Sequence, residues 1–159
     1  IMLTEVNKRR TIKMISKSLE EYLKNIYILK QQGKEPRVTD IAMKMKCSKP
    51  SVNKSLKHLN EEGLINYEAY GQIKLTEEGI NLAKKILEAY DIVYVFLTEI
   101  LELDQQSAEQ EAQKMKAVME DETLNKLAKY LHKELGLYSL DCGYDISNVK
   151  CIECVRRKK

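Results

Sequence analysis

Proline and glycine are scarce in this chain, two and six in 159 residues. That shortage suits a mostly helical protein and argues against long disordered tracts. Internal repeats and low-complexity segments are absent as well. No uninterrupted apolar run approaches the ~20 residues a helix needs to cross a bilayer, so no membrane partner is expected. The opening run, IMLTEVNKRRTIKMISKS, carries charges where a secretory signal would be apolar. A cytoplasmic location is the expectation. Cysteine is limited to positions 47, 142, 151 and 154. In a reducing compartment these do not read as structural disulfides, and the clustered last three need another account.

What is present is 32% charged and 43% hydrophobic residues, enough for one compact domain or two small ones. The net charge of +3 hides an asymmetry. Residues 1–75 carry 15 Lys/Arg against 8 Asp/Glu, whereas residues 76–159 carry 12 against 16. A basic front half on an acidic back half is a cue for a nucleic-acid-binding module on a different platform.

SLEEYLKNIYILKQQ (18–32) places Leu19, Tyr22, Leu23, Ile26, Tyr27 and Leu29 on one apolar helical face. Ser18 is its expected N-cap, and Gly33 and Pro36 close it. A short helix follows in VTDIAMKMK, with Thr39 as cap and Ile41, Ala42 and Met45 inward. The next stretch, CSKPSVNKSLKHLNEEGLI (47–65), is unusual in its first half. Val52, Leu56 and Leu59 keep helical spacing, and Pro50 suits a first turn. Yet Ser48, Lys49, Ser51, Asn53 and Lys54 crowd the helix start, where a packed helix needs a single cap. After Gly63 the period changes. Leu64 to Tyr67 and Gln72 to Leu75 read as two short strands around a turn at Ala69–Gly71.

This order of elements is that of a winged helix-turn-helix, whose second helix meets base edges with its N-terminal residues. Ser48, Ser51, Asn53 and Lys54 then serve as donors and acceptors to bases, and Lys49 and Lys57 suit phosphates. Pro50 shapes the reading end, and Tyr70 and Gln72 place the wing along the adjacent minor groove or backbone. The competing reading is a solvated, well-capped helix end. Cys47 reads as core filling in the turn, and His58 as a surface or phosphate-facing residue.

From Thr76 the chain is helical again. Ile80, Ala83, Leu87, Tyr90, Tyr94, Leu97 and Leu101 follow steps of three and four, the rhythm of a coiled-coil seam. Ile86, Val93, Phe96 and Ile100 form a second flank, to be covered by helices over 107–119 and 121–135 or by a second copy of the chain. The expected fold is mostly α: a winged helix-turn-helix (1–75), a linker helix with a helical dimerisation domain (76–140), and a cysteine-containing tail (141–159).

The runs EEYLKNIYIL, RVTDIAMKM, SKPSVNKSLKHLNEEGLINYEAYGQIKLTEEG, VFLTEILEL and EAQKMKAVMEDE resemble the diphtheria-toxin-repressor/manganese-transport-regulator family of metal-dependent transcriptional repressors. The resemblance implies a homodimer that binds palindromic operators in double-stranded DNA when divalent metal is bound. It also implies the outline of the shorter, manganese-type members. The family's ligand positions do not carry over. Glu21 matches an acidic ligand, but Lys24 stands in place of a second carboxylate and Tyr90 in place of a histidine. The family's Glu/Cys-x-x-Glu-His pattern reads Gln113, Lys116 and Ala117. An ammonium has no lone pair and repels a cation, and alanine offers nothing.

DCGYDISNVKCIECVRRKK spaces Cys142, Cys151 and Cys154 as C-x8-C-x2-C ahead of a basic tail. Two thiolates at C-x2-C reach one metal or cluster from a tight turn. Three suit an iron–sulfur cluster with one non-cysteine position, or Cys3His zinc with His132 as the nearest imidazole. Unligated thiols or a redox dithiol at Cys151/Cys154 are the alternatives. The function these readings define is a regulator, not an enzyme, whose input has moved to the three-cysteine site. A winged-helix protein-interaction module without DNA binding is the rival.

Overall fold

A computed structural model describes residues 15–68 and 71–136. Helix α1 (Lys17–Gln31) starts at Ser16, whose Oγ accepts from the Leu19 amide at 3.3 Å. Ser18, the expected cap, lies inside the first turn instead. Ser16 is the residue with extended backbone, and only from there does a hydroxyl reach back over the free amides. Helix α2 (Val38–Met45) likewise starts two residues earlier than a Thr39 cap would allow. Its N-cap is Arg37, which gives no side-chain cap bond, and the Asp40 and Ile41 amides bond to the Arg37 carbonyl.

Helix α3 (Lys49–Glu61) packs Val52, Leu56 and Leu59 against α1 and α2 residues Leu23, Ile26 and Ile41 in one core. Gly63 follows at φ 72°, the left-handed position that turns the chain into strand β1 (Ile65–Tyr67). Strand β2 (Ile73–Leu75) returns antiparallel, with Ile65 opposite Leu75 and Tyr67 opposite Ile73. Ile65, Ile73 and Leu75 face the core while Asn66 and Lys74 face water, the alternation of a two-sided hairpin.

Thr76 welds this hairpin to helix α4 (Glu77–Val95). Its amide donates to the Leu64 carbonyl at 3.1 Å and its hydroxyl to the Gly63 carbonyl at 2.7 Å. The same hydroxyl accepts from the Gly79 amide at 3.1 Å. Backbone meets backbone here: a methyl carbon on Gly79 would collide with the Leu64 carbonyl oxygen.

Helix α4 serves two cores. Ala83 and Ile86 belong to the first; Ala89, Ile92, Val93 and Leu97 belong to a second with Ala108 and Ala112 of α5 (Gln105–Lys116) and Leu124, Ala128 and Leu131 of α6 (Asp121–Glu134). Of the expected seam, Ala83 and Leu97 are buried within the chain. Ile80, Leu87, Tyr90 and Tyr94 are half-buried and Leu101 is 51% exposed. Ile86, Ala89, Ile92 and Val93 complete the core face, and its alanines let the packed helices approach. After Val95 the helix widens into a π-helical turn (Phe96–Ile100), closed by the Leu101 amide on the Phe96 carbonyl at 3.2 Å. A five-residue step breaks a seven-residue rhythm, leaving Leu97 inside and Leu101 outside. Among the described residues no helix is long and apolar enough to cross a membrane.

Two outcomes follow. Alanine for glycine inside a helix ordinarily stabilises by about 1 kcal/mol. Gly79→Ala should invert that sign, destabilising by about 1–3 kcal/mol in chemical denaturation through overpacking against Leu64. The second concerns His132, buried on α6, where burial holds the imidazole pKa below its ordinary 6.5. The unfolded chain then takes up a proton near pH 6.5 that the folded chain refuses. Stability is therefore undiminished above that pH and falls as the pH drops below it. The acid-side decline in melting temperature should be shallower in His132→Leu than in wild type.

Candidate nucleic-acid interface and the ion-pair cluster behind it

The outer face of α3 is polar because its inner face is spent on the core. Val52, Leu56 and Leu59 are fully buried, whereas Lys49, Pro50, Ser51, Asn53, Lys54 and Lys57 are all exposed. Ser48 caps the helix: its Oγ accepts from the Ser51 amide at 3.3 Å and lies 2.9 Å from the Ser51 hydroxyl. That hydroxyl pair keeps both serines at the exposed helix start. Cys47 is half-buried against the first core, its Sγ 3.3 Å from the Tyr22 hydroxyl, and His58 is exposed.

Sequence reasoning missed two partners on this face. The Tyr67 hydroxyl donates to Asn53 Oδ1 at 2.9 Å, and the Tyr67 amide donates to Asn60 Oδ1 at the same distance. One wing residue thus bonds to α3 twice, two turns apart. An asparagine whose oxygen already accepts one bond offers its NH2 as the less committed end. No local pattern signals this pairing, since Tyr67 reaches Asn53 only after the hairpin folds back. Gln72 is exposed beside Gly71, and Tyr70 lies outside the described residues.

Behind α3, the sequence-selected positions Glu21, Lys24, Tyr90, Gln113 and Lys116 come together from α1, α4 and α5. Glu21 is the hub. Its Oε2 pairs with Lys24 at 2.6 Å, and its Oε1 accepts from the Gln113 amide and lies 4.0 Å from Lys116 Nζ. Lys116 donates more closely to Glu20, at 3.3 Å, a residue that sequence reasoning left out. The Lys116 side chain is 5% exposed, so its ammonium has given up water for these two carboxylates. Lys24 Nζ also stands 5.6 Å from the Tyr90 ring centroid, and Tyr90 stacks on Tyr94 at 5.8 Å. Burial first, then the nearby Glu109 carboxylate, pushes the Tyr90 phenol up to about 12. Ala117 is the C-cap of α5.

These residues do not fit a divalent cation. The cluster offers two carboxylates, and its other members are two ammoniums, a neutral phenol and an amide already engaged. Among the described residues no three His, Cys, Asp or Glu are grouped to hold a metal. Cys142, Cys151 and Cys154 lie outside the described residues.

Three helices, a short hairpin wing and an exposed polar face on the third helix define a winged helix-turn-helix. Comparison with known proteins specifies which. The profile described as iron dependent repressor, N-terminal DNA binding domain matches residues 14–73, and that of its metal binding and dimerisation domain matches residues 76–134. The chain belongs to this iron-dependent repressor family, whose members are transcriptional regulators and not enzymes. It is 37% identical over 120 residues to an uncharacterised HTH-type transcriptional regulator of Methanocaldococcus jannaschii, covering 75% of this chain and 96% of that one. To the diphtheria toxin repressor of Corynebacterium diphtheriae it is 30% identical, over 70% of this chain and 50% of that protein. Among solved structures, the manganese regulator SloR superposes with a TM-score of 0.65 at 29% identity, over 72% of this chain and 53% of SloR. The chain thus spans about half the length of those two longer relatives.

Removing the wing bond tests the geometry directly. Tyr67→Phe deletes the donor to Asn53 and keeps the ring, so denaturation should show a loss of about 0.5–1.5 kcal/mol, that of one net hydrogen bond.

Proposed function

We propose that this chain is a dimeric, cytoplasmic transcriptional regulator that reads palindromic double-stranded DNA with the N-terminal half of α3. The observation that carries the reading is the outer face of that helix. Ser48, Lys49, Pro50, Ser51, Asn53, Lys54 and Lys57 are all exposed on an element whose other side is fully packed. In this reading Ser51, Asn53 and Lys54 meet base edges, Lys49 and Lys57 meet phosphates, and Tyr70 and Gln72 of the wing lie along the backbone. Residues 1–75 form the reading unit. Residues 76–140 form the dimerisation unit, and the exposed Leu101 and Val118 supply apolar surface there.

The input of the regulator is assigned to Cys142, Cys151 and Cys154 as an iron–sulfur site. Support comes from their C-x8-C-x2-C spacing and from the poor fit of the α1 cluster to a cation. Anaerobically purified protein should show sulfide-to-iron charge-transfer absorbance that Cys151→Ser/Cys154→Ser abolishes. A colourless protein with bound zinc would make the site structural instead.

DNA reading is tested on duplexes selected from a random pool. Asn53→Ala should cost about 1–3 kcal/mol of discrimination between selected and unselected sequence. Lys57→Ala should weaken both alike and flatten the salt dependence by about one unit. Binding that ignores salt in the wild type would favour a protein-interaction module.

A further inference from the structure

The half of the chain matched as metal binding holds, at the point where α1 meets α5, a buried lysine and no set of cation ligands. We infer that the Lys116 ammonium is a resident substitute for a divalent cation: it joins the two halves of the chain permanently, and DNA binding does not respond to divalent metal. The inference rests on the reading of α3 as the DNA-binding helix.

Charge decides the matter first. Glu20 and Glu21 contribute two negative charges, and Lys24 and Lys116 contribute two positive ones, within contacts of 2.6 to 4.0 Å. The four groups are neutral as they stand. A divalent cation on the same carboxylates would leave two excess positive charges in a partly buried place, or would have to expel both ammoniums. Lys116 Nζ reaches both carboxylates, and the Gln113 amide donates to the same Glu21 oxygen that Lys116 approaches. The carboxylates are thereby held from α5 without any metal.

Connectivity decides what the pairing does. Glu20 and Glu21 sit on α1, which shares its core with α3. Lys116 and Gln113 sit on α5, which shares the second core with α6 and the end of α4. Whatever holds α1 to α5 therefore holds the reading helix in a set orientation to the second half. Lys116 is a positioning residue, acting on DNA through the placement of α3.

The test uses the full chain and Mn(II), a cation that prefers carboxylate oxygen to thiolate. Calorimetric titration of wild type with MnCl2 is expected to give no saturable heat. Affinity for a duplex selected from a random pool should be the same with MnCl2 and with chelator. Lys116→Met should lower that affinity by about tenfold, within the ordinary range of coupling between sites, while Lys116→Arg restores it. Saturable Mn(II) uptake that Glu21→Gln abolishes would overturn the inference. So would a wild-type affinity that rises with Mn(II), or a folded Lys116→Met that binds as wild type does. If Lys116→Met does not fold, the wild-type Mn(II) titrations decide alone. Failure of every sample to bind duplex defeats the DNA-binding reading instead, and the calorimetry still decides the metal question.

Discussion

A buried ammonium has to be paired, and the structure turns on where Lys116 finds its partners. The side chain comes from α5, deep in the acidic half, and its carboxylates come from α1, in the basic half, 96 positions earlier. Burying one partner of such a pair without the other leaves an uncompensated charge, which is far costlier than losing a surface ion pair. The two halves therefore fold into one arrangement or forfeit this contact. Glu21 multiplies the effect, because it also holds Lys24 and Gln113, and Lys24 in turn lies against Tyr90 of α4. The cluster spans three helices, and its carboxylates and amide constrain their orientation because hydrogen bonds are directional.

The second junction is built from backbone. Thr76 bonds the consecutive Gly63 and Leu64 carbonyls of the segment that joins α3 to the hairpin, and Gly79 lets the first turn of α4 approach Leu64 without a side chain between. The hairpin, α3 and the first turn of α4 are consequently joined as one body. The ion-pair cluster then sets that body against α5. Two junctions of different chemistry, one of close packing and one of charge, place the polar face of α3.

That face is itself more ordered than a row of solvated side chains. Tyr67 holds Asn53 and Asn60 from the wing, and the Ser48 and Ser51 hydroxyls hold each other. Side chains fixed before a ligand arrives lose less entropy when it binds. The wing thus holds side chains of α3 as well as lying beside it.

The sequence by itself determined the outer face of α3, because Val52, Leu56 and Leu59 claim one side of any helix formed there and leave the serines, lysines and Asn53 the other. It determined the hairpin through its change of period after Gly63. It also showed, through the family resemblance, lysines at 24 and 116 and an alanine at 117 that have no lone pair to give a cation. Only the tertiary structure decided which stripe of α4 is buried. Apolar residues cover most of that helix, and periodicity cannot rank Leu87 and Tyr90 below Ala83 and Ala89 when close approach of α1 and α5 is what selects the small side chains. Only the structure brought Glu20 to Lys116 and Tyr67 to Asn53. Those pairings join segments distant in the chain, and a directional bond between such segments has no local signature; it exists only once packing has set the distance.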